Sequence, residues 1–434
     1  MMFARFFHDR AGGVAPLLAL GLVPMMAGVG AAVDYSRANA TLAALQAAGD
    51  STALMLAKTA SSLNNTQLGQ NATSYFLANF NRPEAQNVQV TANYGAAQVG
   101  YQVTVNATAT VNTVFLGMLG HSQIPLSTSA TVAWSQSRLR IALVLDNTGS
   151  MSQYGKMTAL KTAAHNLLTQ LQNASKTDGD VYVSIIPFAK DVNVDPANYN
   201  QTWVKWSGAS DTWDENNGTC SKSSYHTQSA CTTNHGTWTP KNHNTWNGCV
   251  MDRDQNFDTT NAAPSAPSSQ FPAEQYGYCP VPLMGLSYNW NALNAKVDAM
   301  TPAGGTNQAI GLQWGFQSLT ASPFTIPAMD PGYQYQQIII LLTDGLNTQD
   351  RWYGTGSSPS PQVDARQQIL CNNIKAAGLT IYTVQVNTDG DPTSTLLQQC
   401  ASDPNKFFLL TSSNQIVTTF NTIGTSLVQL HLAK

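Results

Sequence analysis

An uninterrupted aliphatic run that ends in small oxygen-bearing residues constrains this chain more than any other feature. The run covers residues 141–145 (IALVL), and residues 146–150 (DNTGS) follow it directly. An apolar run without polar interruption is typical of a strand buried on both faces, as in a parallel sheet covered by helices. An acid and two hydroxyls at the carboxyl end of such a strand place several hard oxygens around one point. This arrangement suits a small cation such as Mg²⁺.

Strands and helices alternate downstream of this run. Their periodicity predicts helices over residues 155–172, 306–318, 363–377 and 414–430, and strands over residues 181–188, 337–343, 379–386 and 407–410. Such alternation favours an α/β fold with a doubly wound parallel sheet. Ligands of these sheets bind beyond the carboxyl ends of the strands, where the strand order reverses.

The N-terminal region contains a long apolar segment. Residues 14–33 include no charged side chain, and at about 1.5 Å per residue a helix of this length spans a hydrocarbon core of roughly 30 Å. We therefore predict a transmembrane helix. A cleavable signal peptide is the alternative, although its apolar region is usually only about 7–15 residues long. Arg5 and Arg10 favour a cytoplasmic location for residues 1–13, which places the bulk of the chain outside.

Residues 34–136 change from helical to strand periodicity. The alanine-rich continuation of the apolar segment and residues 66–80 are predicted to be helical. Apolar and small polar residues then alternate over residues 88–92, 99–107 and 124–134. The pattern indicates a small α+β domain, with a long helix followed by an antiparallel sheet.

Composition limits the compartment and the partners. Only 10% of residues are charged, against roughly 25% in an average soluble protein. The net charge of -3 leaves no basic stripe, so nucleic acid is not an expected partner. The six cysteines are an even number in a chain with an apolar N-terminal segment, which favours disulfides in an oxidising compartment. Reduced thiols in a cytosolic protein are the alternative.

The N-terminal third resembles the TadE/TadG-like proteins of Flp (Tad) pilus assembly. The resemblance lies in residues 7–16, 32–37, 111–120 and 125–132. Processed pseudopilins of this system carry Glu five residues after the cleavage-site glycine, whereas Leu18 stands five residues after Gly13. The resemblance to the TadG-like members therefore implies a permanent anchor and a pilin-like domain over residues 34–136. It also implies a single-pass protein of the bacterial inner membrane, with most of the chain in the periplasm or at the cell surface.

The remainder of the chain resembles a von Willebrand factor A domain, a doubly wound, Rossmann-like fold. The first loop matches the motif Asp-x-Ser/Thr-x-Ser. A Gly-Gly-Thr loop and a Thr-Asp-Gly loop follow further along the chain. Together the three loops supply all five positions of the metal ion-dependent adhesion site: Asp146, Thr148, Ser150, Thr306 and Asp344. The resemblance implies such a domain over residues 138–434. The alternative, in which Asp146 only caps the following helix, explains the first loop but neither of the others.

The residue types indicate how the site would work. Mg²⁺, or another divalent cation such as Mn²⁺, prefers about six oxygen ligands and readily keeps water. The resemblance implies that Thr148 and Ser150 bind the cation directly, Thr306 directly or through water, and the two acids mainly through water and hydrogen bonds. One position then remains for an acidic residue of a protein partner, such as a pilus or secretion component or a surface ligand.

An extracytoplasmic metal-dependent hydrolase is the alternative function, because a bound metal can also activate water. No second acid cluster, histidine pair or nucleophile with an adjacent base accompanies the motif in the sequence. We therefore expect a binding protein rather than an enzyme.

A segment of low periodicity, residues 190–286, interrupts the predicted A domain. It contains five tryptophans and four cysteines: Trp203, Trp206, Trp213, Trp238, Trp246, Cys220, Cys231, Cys249 and Cys279. We expect two disulfides that hold a small subdomain together, and the four cysteines allow three pairings. Zinc bound by cysteines with His226, His235 or His243 is the alternative.

The tryptophans of the insertion serve either as a partner-binding surface or as the core of the insertion. Cys371 and Cys400 are expected to form a third disulfide.

Overall fold

The chain forms two compact units. The computed structural model describes residues 14–98, 100–134 and 136–432. The first unit ends at Ser135 and includes Pro331–Tyr333, and the second covers Gln136–Asp330 and Gln334–Lys434. The segment predicted to be cytoplasmic, residues 1–13, lies outside the described residues.

The first unit consists of two helices and a three-stranded sheet. Its elements are α1 (Val14–Ala57), α2 (Asn65–Asn79), β1 (Ala85–Ala96), β2 (Tyr101–Asn112) and β3 (Gln123–Trp134). The strands pair antiparallel in the order β1-β2-β3. Because successive side chains of a strand point to opposite faces, β2 buries Val103, Val105 and Ala107, which pack in two clusters with Leu45 and Leu56 of α1.

The N-terminal part of α1 contains the predicted membrane segment, residues 14–33. Large apolar side chains are exposed along its described part: Leu18, Leu20, Leu22, Val23, Met25, Met26, Val29 and Val33. Within the described ranges of the chain, no helix is both long enough and apolar enough to cross a membrane.

The second unit contains a large sheet, its covering helices and the insertion. In chain order its elements are β4 (Gln136–Asp146), α3 (Lys156–Ala174), β5 (Val181–Phe188), β6 (Val192–Asn193), β7 (Val204–Lys205), α4 (Trp213–Asn216), β8 (Gly218–Cys220), α5 (Gln228–Thr233), β9 (Trp238–Pro240), β10 (Cys249–Val250), β11 (Phe271–Pro272), β12 (Met284–Ser287), α6 (Trp290–Asp298), α7 (Gln308–Thr320), β13 (Tyr333–Thr343), α8 (Pro361–Ala376), β14 (Thr380–Val386), α9 (Thr395–Cys400), β15 (Phe407–Leu410) and α10 (Asn414–Leu432).

The large sheet follows the order β10-β6-β5-β4-β13-β14-β15, and β12 also pairs with β5. The pairs β4–β5, β13–β14 and β14–β15 are parallel, which confirms the predicted α/β class. Strands β6, β10 and β12 pair antiparallel. The sheet is therefore mixed rather than purely parallel, because short strands in and after the insertion extend it at one side.

Strand β4 is buried on both faces, as its aliphatic run predicts. Ile141, Leu143 and Leu145 belong to a cluster with residues of α3, α6 and α10. Ala142 and Val144 belong to a second cluster with residues of α7, α8 and α9. All five side chains are fully buried, so helices cover both faces of the sheet around the strand that carries the predicted cation loop.

The insertion is held by disulfides and aromatic packing. Cys220 pairs with Cys231 and Cys249 with Cys279, and the predicted disulfide between Cys371 and Cys400 is confirmed. All six cysteines are thus paired in disulfides, so the zinc interpretation of the cysteines is wrong.

The five tryptophans of the insertion are all at least partly buried. Trp213 and Trp246 are fully enclosed, while Trp203, Trp206 and Trp238 are half-buried. Trp206 packs edge-on against Trp213 and Trp246 and stacks on His243 with ring centroids 3.8 Å apart. Trp213 and Trp246 therefore belong to the core of the second unit, and Trp203 and Trp206 pack against it.

Candidate metal-binding site

Two adjacent strands of the large sheet bring the two predicted acids together. Asp146 is the last residue of β4, and Asp344 directly follows β13. The two strands are neighbours, and the Thr343 hydroxyl donates to Asp146 Oδ2 over 2.6 Å. The carboxyl ends of two buried strands are thus joined directly at the candidate site.

The first loop turns its hydroxyls toward Asp344. The Thr148 N–H donates to Asp146 Oδ1 (2.8 Å), which ties the loop to the end of β4. A short 3₁₀ helix, Gly149–Ser152, follows. Thr148 Oγ1 and Ser150 Oγ lie 3.1 Å apart, and Ser150 Oγ donates to Asp344 Oδ1 over 2.7 Å.

The Gly-Gly-Thr loop is fixed against both other loops. The Gly149 N–H donates to the Gly304 carbonyl (3.0 Å), and the Thr306 N–H donates to Thr348 Oγ1 (3.0 Å). A methyl group placed on Gly345 would lie 3.8 Å from Thr306 Oγ1 and 4.0 Å from Ser150 Oγ. The structure therefore brings all five predicted residues together from three separate loops.

The oxygens present fit a hard cation. Across residues 14–98, 100–134 and 136–432, no group of three or more His, Cys, Asp or Glu side chains is arranged to hold a metal. The candidate site instead combines three hydroxyls with two carboxylates, which are oxygen ligands of the kind that Mg²⁺ accepts. Both Asp146 oxygens already accept protein hydrogen bonds, which agrees with an indirect role for this acid. Cation binding at these residues stays a prediction.

Burial makes the two carboxylates unfavourable as free anions. Asp146 is completely buried, and its burial together with the charge of Asp344 raises its pKa to about 7. Burial also raises the pKa of Asp344. A positive charge near these groups favours their ionised forms.

Sequence reasoning missed two charged residues at the site. Lys156 Nζ lies 2.6 Å from Asp344 Oδ2 and 2.8 Å from Asp389 Oδ2. Burial disfavours its charge, but hydrogen bonds to the two carboxylates outweigh burial and raise the pKa of Lys156. A signal was present in the sequence, because a lysine at the start of a helix is opposed by the helix dipole and requires compensation by an acid.

The insertion reaches the rim of the site. The Tyr276 hydroxyl accepts a hydrogen bond from the Gly305 N–H over 3.2 Å. The side chain of Tyr278 packs against Gly304, whose positive φ of 84° favours glycine, and Tyr278 is itself exposed. The insertion therefore supports the loop that carries Thr306.

Comparison with solved structures finds matches at low sequence identity and low TM-score. The pilus adhesin SpaC from Lactobacillus rhamnosus GG is 15% identical with a TM-score of 0.37, over 81% of this chain and 36% of that chain. The vWF domain of the type V pili tip protein Mfa5 from Porphyromonas gingivalis is 10% identical with a TM-score of 0.37, over 68% of this chain and 96% of that chain.

Proximal thread matrix protein 1 from the mussel byssus, in a structure with a zinc-occupied MIDAS motif, is 13% identical with a TM-score of 0.34, over 68% of this chain and 46% of that chain. This chain thus spans about a third of the length of the Lactobacillus adhesin and about half that of the mussel protein. No curated protein matches the sequence.

A comparison with protein-family models assigns part of the second unit to a family. Residues 256–422 match the family model of the von Willebrand factor type A domain. The matched segment includes Thr306 and Asp344, and it begins after the loop that carries Asp146. A von Willebrand factor type A domain is therefore present in the second unit, over the matched residues 256–422.

Proposed function

We propose that this chain is a membrane-anchored, extracytoplasmic protein of Flp (Tad) pilus assembly or adhesion that binds a protein partner through a Mg²⁺-dependent site. The observation that carries the proposal is the convergence of Asp146, Thr148, Ser150, Thr306 and Asp344 from three loops of the A domain. Such domains often carry a divalent metal and generally bind protein partners.

Some residues of the proposed site are placed to bind the ion, and others hold the loops in position. The hydroxyls of Thr148 and Ser150 contact each other and face Asp344, so they are placed to bind an ion directly, and Thr306 completes the set. Asp146 fixes the first loop through the Thr148 N–H and Thr343. The ion, when bound, supplies an electrophilic centre that an acidic side chain of the partner can contact.

The proposed membrane anchor is residues 14–33. The segment is uncharged, and large apolar side chains such as Leu20, Val23 and Met25 are about 70% exposed on α1 (73%, 70% and 72%). A large exposed group of apolar side chains supports contact with a membrane or another apolar surface. The resemblance to TadG-like proteins supports the same location, in the bacterial inner membrane with most of the chain in the periplasm or at the cell surface.

A titration of the full chain with Mn²⁺, followed by calorimetry, tests the metal site. We expect one bound ion per chain, loss of binding in Ser150→Ala, and unchanged binding in Ser152→Ala. Ser152 is a matched control because its hydroxyl lies two residues away, is exposed and donates only to the Gly149 carbonyl. Absence of Mn²⁺ and Mg²⁺ binding by the wild-type chain would refute the proposed site.

Crosslinking on intact cells, with and without chelator, tests the partner. A crosslinked protein that disappears with chelator and with Asp146→Ala is expected. A purified hydrolytic activity that Asp146→Ala destroys would instead support the metal-dependent hydrolase.

A further inference from the structure

We propose that Lys156 is an internal counter-cation of the candidate metal site, and that Asp389 draws its charge away from Asp344, so that this ion pair sets the affinity for the divalent cation. The proposal rests on the proposed metal site and adds two residues that regulate it. Neither residue belongs to the five of the predicted motif.

Asp344 is shared between the site and the lysine. Its Oδ1 accepts from Ser150 Oγ, which faces Thr148. Its Oδ2 lies 2.6 Å from Lys156 Nζ. One carboxylate therefore meets an ammonium group on one side and the candidate cation position on the other.

The lysine cannot move its charge into water. Its side chain is 0% exposed, whereas Asp389 is 31% exposed and lies 2.8 Å from Nζ. Lys156 is also the first residue of α3, where the helix dipole opposes a cation. A buried lysine at an unfavourable helix position indicates a role beyond local stability, since such local conflicts concentrate at functional sites.

The two charges act on the ion in opposite directions. The ammonium of Lys156 neutralises part of the Asp344 charge and repels a dication bound by the neighbouring oxygens. Asp389 attracts the same ammonium from the other side and adds a negative charge. A charge within about 4–6 Å changes the proton affinity of a carboxylate by roughly 10- to 1000-fold, and a dication at Asp344 is subject to the same electrostatics.

Mn²⁺ titration of the full chain tests the proposal with Lys156→Met and Asp389→Asn. Relative to the wild-type chain, we expect the affinity for Mn²⁺ to increase about tenfold or more in Lys156→Met and to decrease several-fold in Asp389→Asn. An ion pair with only a structural role would weaken binding in both variants or change neither. Lys161→Met is the matched control, because Lys161 lies on the same helix and donates to the Asp298 carbonyl away from the site.

The outcomes separate this proposal from the proposed function. Wild-type chain that binds no ion overturns both, whereas wild-type binding with equal affinity in Lys156→Met overturns only the role of Lys156. Circular dichroism shows whether Lys156→Met is folded. If it is not, Lys156→Gln replaces it, since the amide still donates to the carboxylates without charge; tighter binding supports the proposal, and equal or weaker binding overturns it.

Discussion

At the scale of single residues, the second unit concentrates buried carboxylates beside the candidate site. Asp252, which is almost fully buried, accepts from Asn307 Nδ2 (2.8 Å) and from the Arg351 N–H (3.2 Å), both at Oδ2. Burial and the charges of Asp350 and Asp258 raise its pKa to about 7. Asp252 therefore places a carboxyl with a raised pKa in contact with Asn307, the residue after Thr306.

Asp252→Asn should make the protein more stable at alkaline pH. A carboxyl whose pKa is raised on folding holds its proton more tightly in the folded state than in the unfolded state. The free energy of unfolding therefore falls as pH rises from about 4 to 7. The asparagine resembles the protonated acid and keeps an acceptor for both N–H groups. We expect a gain on the order of 4 kcal/mol at pH 8 and little change at pH 4, measured by urea unfolding.

Asp254→Asn provides the contrasting control for this prediction. Burial disfavours the Asp254 charge, but hydrogen bonds from Lys205 and Arg351 outweigh burial and lower its pKa. This acid therefore stabilises the fold above its ordinary pKa, and its replacement should destabilise the protein at pH 8. Equal pH profiles for Asp252→Asn and wild type would contradict the assignment of a raised pKa to Asp252.

At the scale of elements, a single acid joins α1 to the turn between β2 and β3. Asp34 accepts from the N–H groups of Val114 (3.0 Å), Phe115 (2.8 Å) and Leu116 (2.8 Å). These N–H groups lie at the start of the 3₁₀ helix Leu116–Leu119, where an acid satisfies unpaired donors. The hydrogen bond from Leu116 is the main cause of the lowered pKa of Asp34.

Asp34→Asn should loosen this connection. The amide offers one acceptor oxygen instead of two, so hydrogen exchange at residues 114–116 should accelerate and the melting temperature of the first unit should fall. Asp50→Asn is the matched control, because Asp50 is an exposed acid of the same helix that accepts only from Gln46. Unchanged exchange at residues 114–116 would show that Asp34 does not hold the turn.

The disulfides link elements over different lengths of chain. Cys371 of α8 and Cys400 of α9 are 29 residues apart, whereas Cys220 and Cys231 are 11 apart. Replacement of Cys371 and Cys400 by alanine should lower the free energy of unfolding by about 3 kcal/mol. This loss should be about 1 kcal/mol larger than the loss for the pair Cys220 and Cys231, because the disulfide that closes the longer loop restricts the unfolded chain more. Guanidinium unfolding of both double variants checks the order, and a larger loss for the 220–231 pair would contradict it.

The sequence was informative for elements with strong periodicity. The four predicted helices and the four predicted strands of the second unit were placed to within a few residues, because each buries a continuous apolar face. The two-residue strands β6 and β10 are too short to show a period, and the helices α6 (Trp290–Asp298) and α9 (Thr395–Cys400) were missed. Among site residues, Asp146, Thr148 and Ser150 stand together in sequence. Lys156 and Asp389 are separated by 233 residues, so only the fold reveals their contact.

At the scale of the whole molecule, the proposed metal site couples ion binding to folding. The residues of the site come from β4, from the loop before α7 and from the end of β13, so the unfolded chain cannot assemble them. A ligand that binds only the folded state stabilises it by about 2.7 kcal/mol at a concentration 100 times its Kd.

Mg²⁺ should therefore raise the melting temperature of the second unit, and chelator should reverse the effect. Calorimetric scans of the full chain with and without Mg²⁺ measure this shift. Ser150→Ala should melt at the same temperature in both conditions. An equal Mg²⁺ shift in Ser150→Ala would place the stabilising ion elsewhere on the chain.

The pairing of the insertion with β5 also determines which strand forms one border of the large sheet. Among the described strands, the order runs from β10 at one border to β15 at the other, and these border strands contain two and four residues. Short border strands present few unpaired backbone groups for edge-to-edge association. The insertion thus supplies the short strand at the β10 border, which limits edge-to-edge association of the sheet on that side.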